Sequence, residues 1–150
     1  MPKFTFGQKS LRELEGVNPR LAAVVHRALE LTEQDFGVHD GLRTREEQQA
    51  LLLAGATETL NSKHLTGYAV DLVPYVNGKL RWEFQPAYVV ASAVRQAAKE
   101  QGVALRWGCA WDINFTESLA DPETVKEGYV ARRQAAGKKA FLDSPHYELI

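Results

Sequence analysis

The sequence of 150 residues contains a single cysteine, Cys109. One cysteine excludes an internal disulfide and a zinc site made of several thiolates, so histidine and carboxylate side chains would have to hold any metal ion. The chain has no apolar run near the ~18 residues of a membrane-spanning helix, and its first residues lack the apolar core of a secretory signal. We therefore expect a protein that is made in the cytosol and has no stable membrane insertion.

The sequence also lacks an excess of positive charge, internal repeats and linker-like segments. Its 18 basic and 19 acidic side chains give a net charge of −1, which argues against nucleic acid as a partner. Apolar residues make up 45% of the chain and charged residues 25%, as in ordinary globular proteins. We therefore predict one domain over residues 1–150, acting as a monomer.

Apolar periodicity and end signals predict a series of helices and strands. Helices are predicted at residues 10–13, 18–34, 44–54, 86–102 and 121–136. Capping boxes are predicted to begin at Ser10 and Thr44, and Asn18 and Asp121 are predicted caps, each followed by a proline in the first helical position. In the fourth helix, Val89 is placed on the buried side. Strands are predicted at residues 36–43, 68–75, 80–84, 103–107 and 146–150, and Asn77-Gly78 predicts a hairpin. Residues 56–63 are predicted to form a polar loop, and residues 109–120 an ordered loop. The pattern favours an α+β fold with helices flanking a small, mostly antiparallel sheet.

One aspartate interrupts an apolar strand. The predicted strand that begins at Tyr68 is apolar except for Asp71. An ionised carboxylate removed from water costs several kcal/mol unless a cation or hydrogen bonds compensate it. His64 lies shortly before Asp71 in a polar, turn-like segment, and Gly67 between them permits a turn without a Cβ penalty. The simplest compensating group is a metal ion shared by His64 and Asp71.

A third candidate ligand and a candidate base occur together near residue 146. His146 would complete a set of two imidazoles and one carboxylate, and three protein ligands leave a fourth position for water, as in catalytic zinc sites. Asp143 precedes His146, and the two are separated by a turn at Pro145. This turn can bring the Asp143 carboxylate over the metal, where it would act as general base. Glu148 shares a strand face with His146 and is the alternative base, or else a supporting side chain. The structural alternative for Asp143 is a turn residue.

Arg43 and Ser62 are the candidate substrate-binding residues. Arg43 lies at a predicted strand-to-helix junction, and its guanidinium matches carboxylates and developing oxyanions. Its structural alternative is an exposed ion pair with Glu46 or Glu47. Ser62 either hydrogen-bonds a substrate or caps a turn.

The other polar residues favour structural roles. His26 and His39 are predicted to be structural. Cys109 and a histidine can form a nucleophilic dyad, but no local pattern supports one. The basic segment 126–139 is predicted to be a solvated helix face, with approach to an anionic envelope as the alternative. Four side chains offer oxygen ligands for calcium, although their spacing is not diagnostic: Asp112, Asn114, Glu117 and Asp121.

Three motifs together carry a resemblance to a known family. They are Ser62-x-His64-x-x-Gly67-x-Ala69-x-Asp71, Asp143-x-x-His146, and Asp40-Gly41-Leu42-Arg43-Thr44 with Gln48 beyond it. In these motifs the sequence resembles zinc peptidases related to D-alanyl-D-alanine carboxypeptidases and dipeptidases, and most of all the phage endolysins that are L-alanyl-D-glutamate endopeptidases. One departure is Arg106-Trp107-Gly108-Cys109-Ala110-Trp111, where family members often carry a glycine-rich Arg-Trp-Gly-Gly-like segment.

The resemblance implies a fold of the D-Ala-D-Ala peptidase/Hedgehog-like type and a set of roles. His64, Asp71 and His146 would bind one catalytic Zn²⁺, Asp143 would be the general base, and Arg43 would steady the oxyanion or a substrate carboxylate. The implied reaction is hydrolysis of the L-Ala-D-Glu bond in bacterial peptidoglycan.

Two alternatives stay open for the function. One is cleavage of D-Ala-D-Ala by a carboxypeptidase or dipeptidase, and the other is a non-catalytic zinc module that binds the wall. For an endolysin we expect accumulation in the host cytoplasm, release by a holin-like protein, action on the periplasmic cell wall and no separate wall-binding domain.

Overall fold

The computed structural model describes residues 3–56 and 62–150, so most of the polar loop predicted at residues 56–63 lies outside the described residues. In this part of the chain the helices are α1 (Gln8–Glu13), α2 (Pro19–Leu31), α3 (Arg45–Leu53), α4 (Phe84–Gln101) and α5 (Pro122–Ala135). The strands are β1 (Phe36–Asp40), β2 (Ala69–Val76), β3 (Lys79–Leu80), β4 (Leu105–Trp107) and β5 (His146–Leu149). Short 3₁₀ turns occur at Lys63–Thr66 and Phe115–Glu117. The predicted α+β class is confirmed.

All strand pairs that the structure describes are antiparallel. The main order is β1-β2-β5-β4, and β3 forms the predicted hairpin with the end of β2. The register places Asp40 opposite Asp71 and Asp71 opposite His146. A row of polar residues therefore crosses three neighbouring strands.

The two faces of the sheet differ in polarity. Side chains alternate along β2, so Val70 and Leu72 enter the hydrophobic core while Asp71 points to the opposite face. In β5, Tyr147 likewise enters the core and His146 shares the face of Asp71. Helix α2 packs along α4, and α4 contacts β2. The polar face is therefore free to form a site on a rigid, well-buried support.

Local signals located several helix starts correctly. The Asn18 side chain accepts a hydrogen bond from Arg20 N at 2.9 Å, and that of Asp121 accepts one from Thr124 N at 2.8 Å. Both residues stand before a proline in the first helical position. Thr44 opens α3 with the predicted capping box. Within residues 3–56 and 62–150, no helix combines the length and apolar character needed to cross a membrane.

The capping box predicted at Ser10 is wrong. Helix α1 begins two residues earlier, at Gln8, so Ser10 lies inside it and is buried. The Ser10 hydroxyl oxygen accepts a hydrogen bond from Val38 N at 3.0 Å, in the neighbouring strand β1. A tertiary contact has therefore replaced the local one.

The predicted strand at residues 80–84 is also wrong beyond Leu80. Phe84 opens α4, and Pro86 fits into the first turn because the amide that it lacks has no helical partner there. The prediction that Val89 is buried fails as well, since it is 40% exposed while Tyr88 is 8% exposed.

Candidate active site

His64 is held in place by a short turn and by a hydrogen bond from its ring. Ser62 caps the 3₁₀ turn by accepting a hydrogen bond from His64 N at 3.1 Å, and Gly67 ends the turn at a φ of 76°. The ring is 2% exposed, and its Nδ1 lies 2.8 Å from the carbonyl oxygen of Gly41. Because that oxygen can only accept, Nδ1 carries the proton and Nε2 keeps a lone pair for the site.

Asp71 lies between His64 and His146. Its Oδ1 is 3.2 Å from His64 Nε2 and 3.4 Å from His146 Nδ1. In the metal-free protein burial alone would raise the pKa of Asp71, but hydrogen bonds and positive charge from His146 and His64, which require rings that carry both protons, outweigh burial and hold the pKa well below its usual range. These contacts account for an aspartate in an otherwise apolar strand.

The three side chains are suited to a metal ion. One ligand atom from each of His64, Asp71 and His146 lies within 4.8 Å of the others, and no second such group of acidic, histidine or cysteine side chains occurs in the described residues. Two ligands about 2.0–2.1 Å from a tetrahedral ion are separated by roughly 3.3–3.4 Å. The two distances to Asp71 Oδ1, 3.2 and 3.4 Å, match this separation. The geometry therefore supports a possible metal site, and mixed N and O donors suit zinc.

Glu148 fixes the ring of the third candidate ligand. His146 Nε2 lies 2.8 Å from Glu148 Oε1, so Nε2 carries the proton and Nδ1 faces Asp71. The other carboxylate oxygen lies 3.4 Å from Lys63 Nζ and 3.3 Å from Arg106 Nη1. Burial would raise the pKa of Glu148, but the His146 hydrogen bond and the Lys63 charge lower it on balance. These contacts match the predicted supporting role.

Arg43 is buried and does not form the exposed ion pair with Glu46 or Glu47. Its Nε and Nη2 donate to Asp40, its Nη1 donates to Gln48 Oε1 at 2.6 Å, and the side chain is 7% exposed. Nη2 also lies 3.6 Å from Asp71 Oδ2. The guanidinium therefore stands beside the site in a fixed orientation.

Asp143 is placed over the same site by a tight turn. Its backbone N donates to Gly108 O at 2.8 Å, and Gly108 N donates to His146 O at 2.8 Å. Within residues 3–56 and 62–150, no donor hydrogen-bonds to the Asp143 carboxylate. In the metal-free protein, burial and the charge of Asp71 raise the pKa of Asp143 to about 6. A half-buried carboxylate of this kind is suited to accepting a proton.

These groups open into a cavity of about 580 Å³. Ser62, Arg43, Asp143 and both candidate histidine ligands line it, together with residues from elements distant in sequence: His39, Trp82, Trp111, Tyr129, Arg133 and Phe141. A hydrolytic site needs this combination of metal ligands, a carboxylate outside the ligand set and space for a substrate.

Comparison with known proteins identifies the family. A family model described as phage L-alanyl-D-glutamate peptidase matches residues 2–150. The L-alanyl-D-glutamate peptidase of Escherichia phage T5 is 42% identical over 116 residues, which make up 74% of this chain and 84% of that protein. The chain belongs to the phage L-alanyl-D-glutamate peptidase family.

Two further relatives agree with the family assignment. The crystal structure of the Serratia marcescens L-Ala D-Glu endopeptidase ChiX matches with a TM-score of 0.72 and 32% identity, covering 99% of this chain and 92% of ChiX. The L-alanyl-D-glutamate peptidase of Listeria phage A118 is 26% identical over 106 residues, which are 69% of this chain and 37% of that protein.

Sequence reasoning missed several aromatic and cationic residues that line the cavity of this peptidase. The Trp111 ring centroid lies 4.9 Å from that of His146, and the Trp82 ring packs at right angles to His39 with centroids 5.2 Å apart. Tyr129 and Arg133 reach the cavity from α5. The two tryptophans close together at residues 107 and 111 could have indicated that Trp111 is near the site. No local sequence pattern indicates that α5 contributes to the cavity.

The remaining candidates have structural partners. Cys109 is fully buried, and burial raises the pKa of its thiol to about 12, which argues against a nucleophilic dyad. Arg132 forms a two-point ion pair with Asp112, so the basic segment is not a uniform solvated face. Asn114 caps a 3₁₀ turn. His26 is exposed and packs against Phe6, in keeping with its predicted structural role.

Proposed function

We propose that the chain is a zinc-dependent endopeptidase that hydrolyses the L-Ala-D-Glu bond of the peptidoglycan stem peptide. The observation that carries this proposal is the grouping of His64, Asp71 and His146 in one cavity that a separate carboxylate, Asp143, also lines. Three protein ligands with space beside them are typical of a catalytic site, whereas a structural zinc site has four protein ligands. The family supplies the substrate class.

The proposed mechanism divides the work among four side chains. His64, Asp71 and His146 would hold a zinc ion, which when bound would supply a Lewis acid to polarise the scissile carbonyl and to lower the pKa of water to about 7. Asp143 takes the proton from the attacking water and passes it to the leaving amine of D-Glu. Because no protein donor occupies its carboxylate in the described residues, Asp143 is free to make both transfers.

Arg43 stabilises the negative charge that develops on the carbonyl oxygen, or holds a substrate carboxylate. Its salt bridge to Asp40 and its hydrogen bond to Gln48 fix the guanidinium before the substrate arrives. A donor that is already oriented loses little entropy when it binds the transition state. Ser62 both caps the turn of His64 and lines the cavity, so it is proposed to contact the substrate.

In the cell we propose that the enzyme acts as a phage endolysin. It would accumulate in the host cytoplasm and reach the periplasmic wall when a holin-like protein permeabilises the membrane. Lysis that occurs only when the enzyme is expressed with a pore-forming partner would support this route, and lysis by the enzyme alone would refute it.

The deciding experiment replaces Asp143 with asparagine, which keeps the shape and removes the base. Mass spectrometry of fragments from purified peptidoglycan should show new D-Glu amine ends with the wild type, and none after zinc chelation. Asp143→Asn should bind zinc normally but be slower by about 10²–10⁴-fold. Asp121→Asn is the matched control, because asparagine caps a helix as well as aspartate does.

Each possible result separates the alternatives. Full activity of a folded, zinc-loaded Asp143→Asn variant would remove Asp143 from its role as base. Hydrolysis of free D-Ala-D-Ala without new D-Glu ends would favour the carboxypeptidase or dipeptidase. Wall binding by the zinc-loaded protein without any new amine ends would favour the non-catalytic module.

A further inference from the structure

The cavity wall contains more carboxylates than free cations. Asp40, Asp71, Asp143 and Glu148 line it, while the lysine and arginine side chains on the described wall are Arg43, Lys63 and Arg133. Arg43 is bound to Asp40 and Gln48. Lys63 Nζ donates to Leu149 O and pairs with Glu148. The positive charges of Arg43 and Lys63 are therefore already balanced by carboxylates, although Arg43 keeps N–H groups that can reach the scissile carbonyl oxygen.

Arg133 is the exception on this wall. Its Nε donates to Lys139 O at 3.1 Å, which fixes the plane of the guanidinium. In the described residues its two Nη groups have no ion pair within 4 Å. The nearest competitor is Asp112, whose pKa Arg133 helps to lower, but Arg132 already binds both oxygens of that carboxylate at 2.6 and 2.8 Å. The half-buried Arg133 therefore presents two donors to the cavity.

Tyr129 extends this donor group. It lies one helical turn before Arg133 on α5, so both side chains share a face of the helix and both line the cavity. The Tyr129 side chain is 3% exposed, and no hydrogen bond to another described residue occupies its hydroxyl. A guanidinium beside a phenolic hydroxyl can bind both oxygens of a carboxylate.

The substrate brings a carboxylate of the required kind. A glutamyl residue that is joined through its amine has two carboxyl groups, and the peptide continues through only one of them. The other stays ionised at neutral pH and lies close to the scissile bond. Desolvating this charge in a cavity rich in carboxylates requires a cation that is free to pair with it.

We propose that Arg133, assisted by Tyr129, is a specificity residue that binds the free carboxylate of the D-glutamyl residue on the leaving side of the scissile bond. This inference rests on the proposed L-Ala-D-Glu cleavage. Arg133 takes no part in the proton transfers and acts by holding the substrate in register with Asp143 and the metal ligands.

The test compares three synthetic stem peptides of the same length. One has the free glutamyl carboxylate, one has that group as an amide, and one has the amide on the carboxyl group of the following residue. The zinc-loaded wild type should cleave the first and third peptides with similar kcat/KM, and the second about 10- to 100-fold more slowly. In Arg133→Gln, kcat/KM should fall by this factor of about 10- to 100-fold on the first and third peptides. On the second peptide kcat/KM should change by less than about threefold.

Conservative and control variants separate binding from a merely structural role. Arg133→Lys keeps the charge without the two-pronged geometry and should recover part of the preference, and Tyr129→Phe should lower it by a few-fold. Lys126→Gln is the control on the same helix and should keep the full preference, because Lys126 lies over the Phe84 ring and does not line the cavity. Zinc content and thermal unfolding of each variant exclude loss of the fold as the cause.

Three results would overturn the assignment. The first is equal cleavage of the first and second peptides by the wild type. The second is an equal loss of kcat/KM on all three peptides in Arg133→Gln. The third is slow cleavage of the third peptide, whose amide is on the residue after the glutamyl residue, by the wild type. Failure of the wild type to cleave any L-Ala-D-Glu bond would instead remove the proposed function, and the assignment of Arg133 with it.

Discussion

Glu148 provides a direct test of how the candidate metal site is supported. Its Oε1 accepts the Nε2 proton of His146 at 2.8 Å, and its Oε2 lies between Lys63 and Arg106. Replacing Glu148 with glutamine keeps an oxygen that can accept from His146 but removes the negative charge. Changes in a carboxylate that orients a ligating histidine typically weaken metal affinity by about 10- to 100-fold, or ~1.4–2.8 kcal/mol.

Alanine at the same position should have a larger effect than glutamine. It removes the acceptor altogether, so the buried His146 Nε2 and the partly exposed Arg106 guanidinium both lose a partner. One unsatisfied buried donor costs about 1–3 kcal/mol, which should appear as a lower unfolding free energy of the metal-free protein. The expected order of zinc affinity is therefore wild type, Glu148→Gln, Glu148→Ala.

Competition with a fluorescent zinc chelator at constant pH measures these affinities, and ¹H–¹⁵N NMR of the His146 ring reports which nitrogen carries the proton. Glu127→Gln, on the exposed side of α5, should bind zinc as the wild type does. Wild-type affinity in both Glu148 variants would refute the supporting role. An inactive Glu148→Gln with normal zinc binding, beside an active Asp143→Asn, would make Glu148 the base instead.

Three further predictions concern the surroundings of the site. The Cys109 thiol, whose pKa burial raises to about 12, should resist a disulfide-exchange reagent at pH 8 until urea unfolds the protein; rapid labelling of the native state would contradict this. Burial lowers the pKa of His146, but hydrogen bonds to Asp71 and Glu148 raise it to about 9 in the metal-free protein. The protonated ring therefore stabilises the folded state fully below pH 6.5, and this contribution is lost as pH rises through 9. Urea titrations of chelated protein should show a loss of up to roughly 3 kcal/mol between these pH values, and His146→Asn should flatten the profile. Gly108→Ala should destabilise the fold by about 1–3 kcal/mol in thermal unfolding, because its methyl group would meet the Asp143 carbonyl oxygen and His146 Cβ, whereas Gly128→Ala on α5 should be neutral or stabilising.

Features that depend on neighbouring residues could be predicted from the sequence. The caps at Asn18, Thr44 and Asp121 and the Asn77-Gly78 hairpin involve partners within a few positions, and all four occur as predicted. The motif around His64 could be predicted for the same reason. Its spacing to Asp71 reflects one turn and one strand, and Gly67 makes the turn.

Features that depend on distant residues were missed or wrong. Ser10 follows the capping pattern, but its hydroxyl is used by β1. Arg43 has two glutamates nearby in sequence, but its buried guanidinium pairs with Asp40 and lies 3.6 Å from Asp71 of β2, a distant residue in the sequence. In the sequence Arg133 is only one member of a basic cluster, because its position on the cavity wall depends on how α5 packs. Sequence patterns therefore predicted the candidate reactive residues better than they predicted which helices and strands pack together around them.

The position of β5 has a consequence for the order of events during synthesis. This strand follows every other strand in the sequence, yet it inserts between β2 and β4, which are made earlier. Until it emerges from the ribosome, the sheet has a gap at its centre, and His64 and Asp71 lack both His146 and Asp143. Contacts between such distant residues form late because closing a long loop is entropically costly. A growing chain therefore lacks a complete candidate site until β5 closes the sheet.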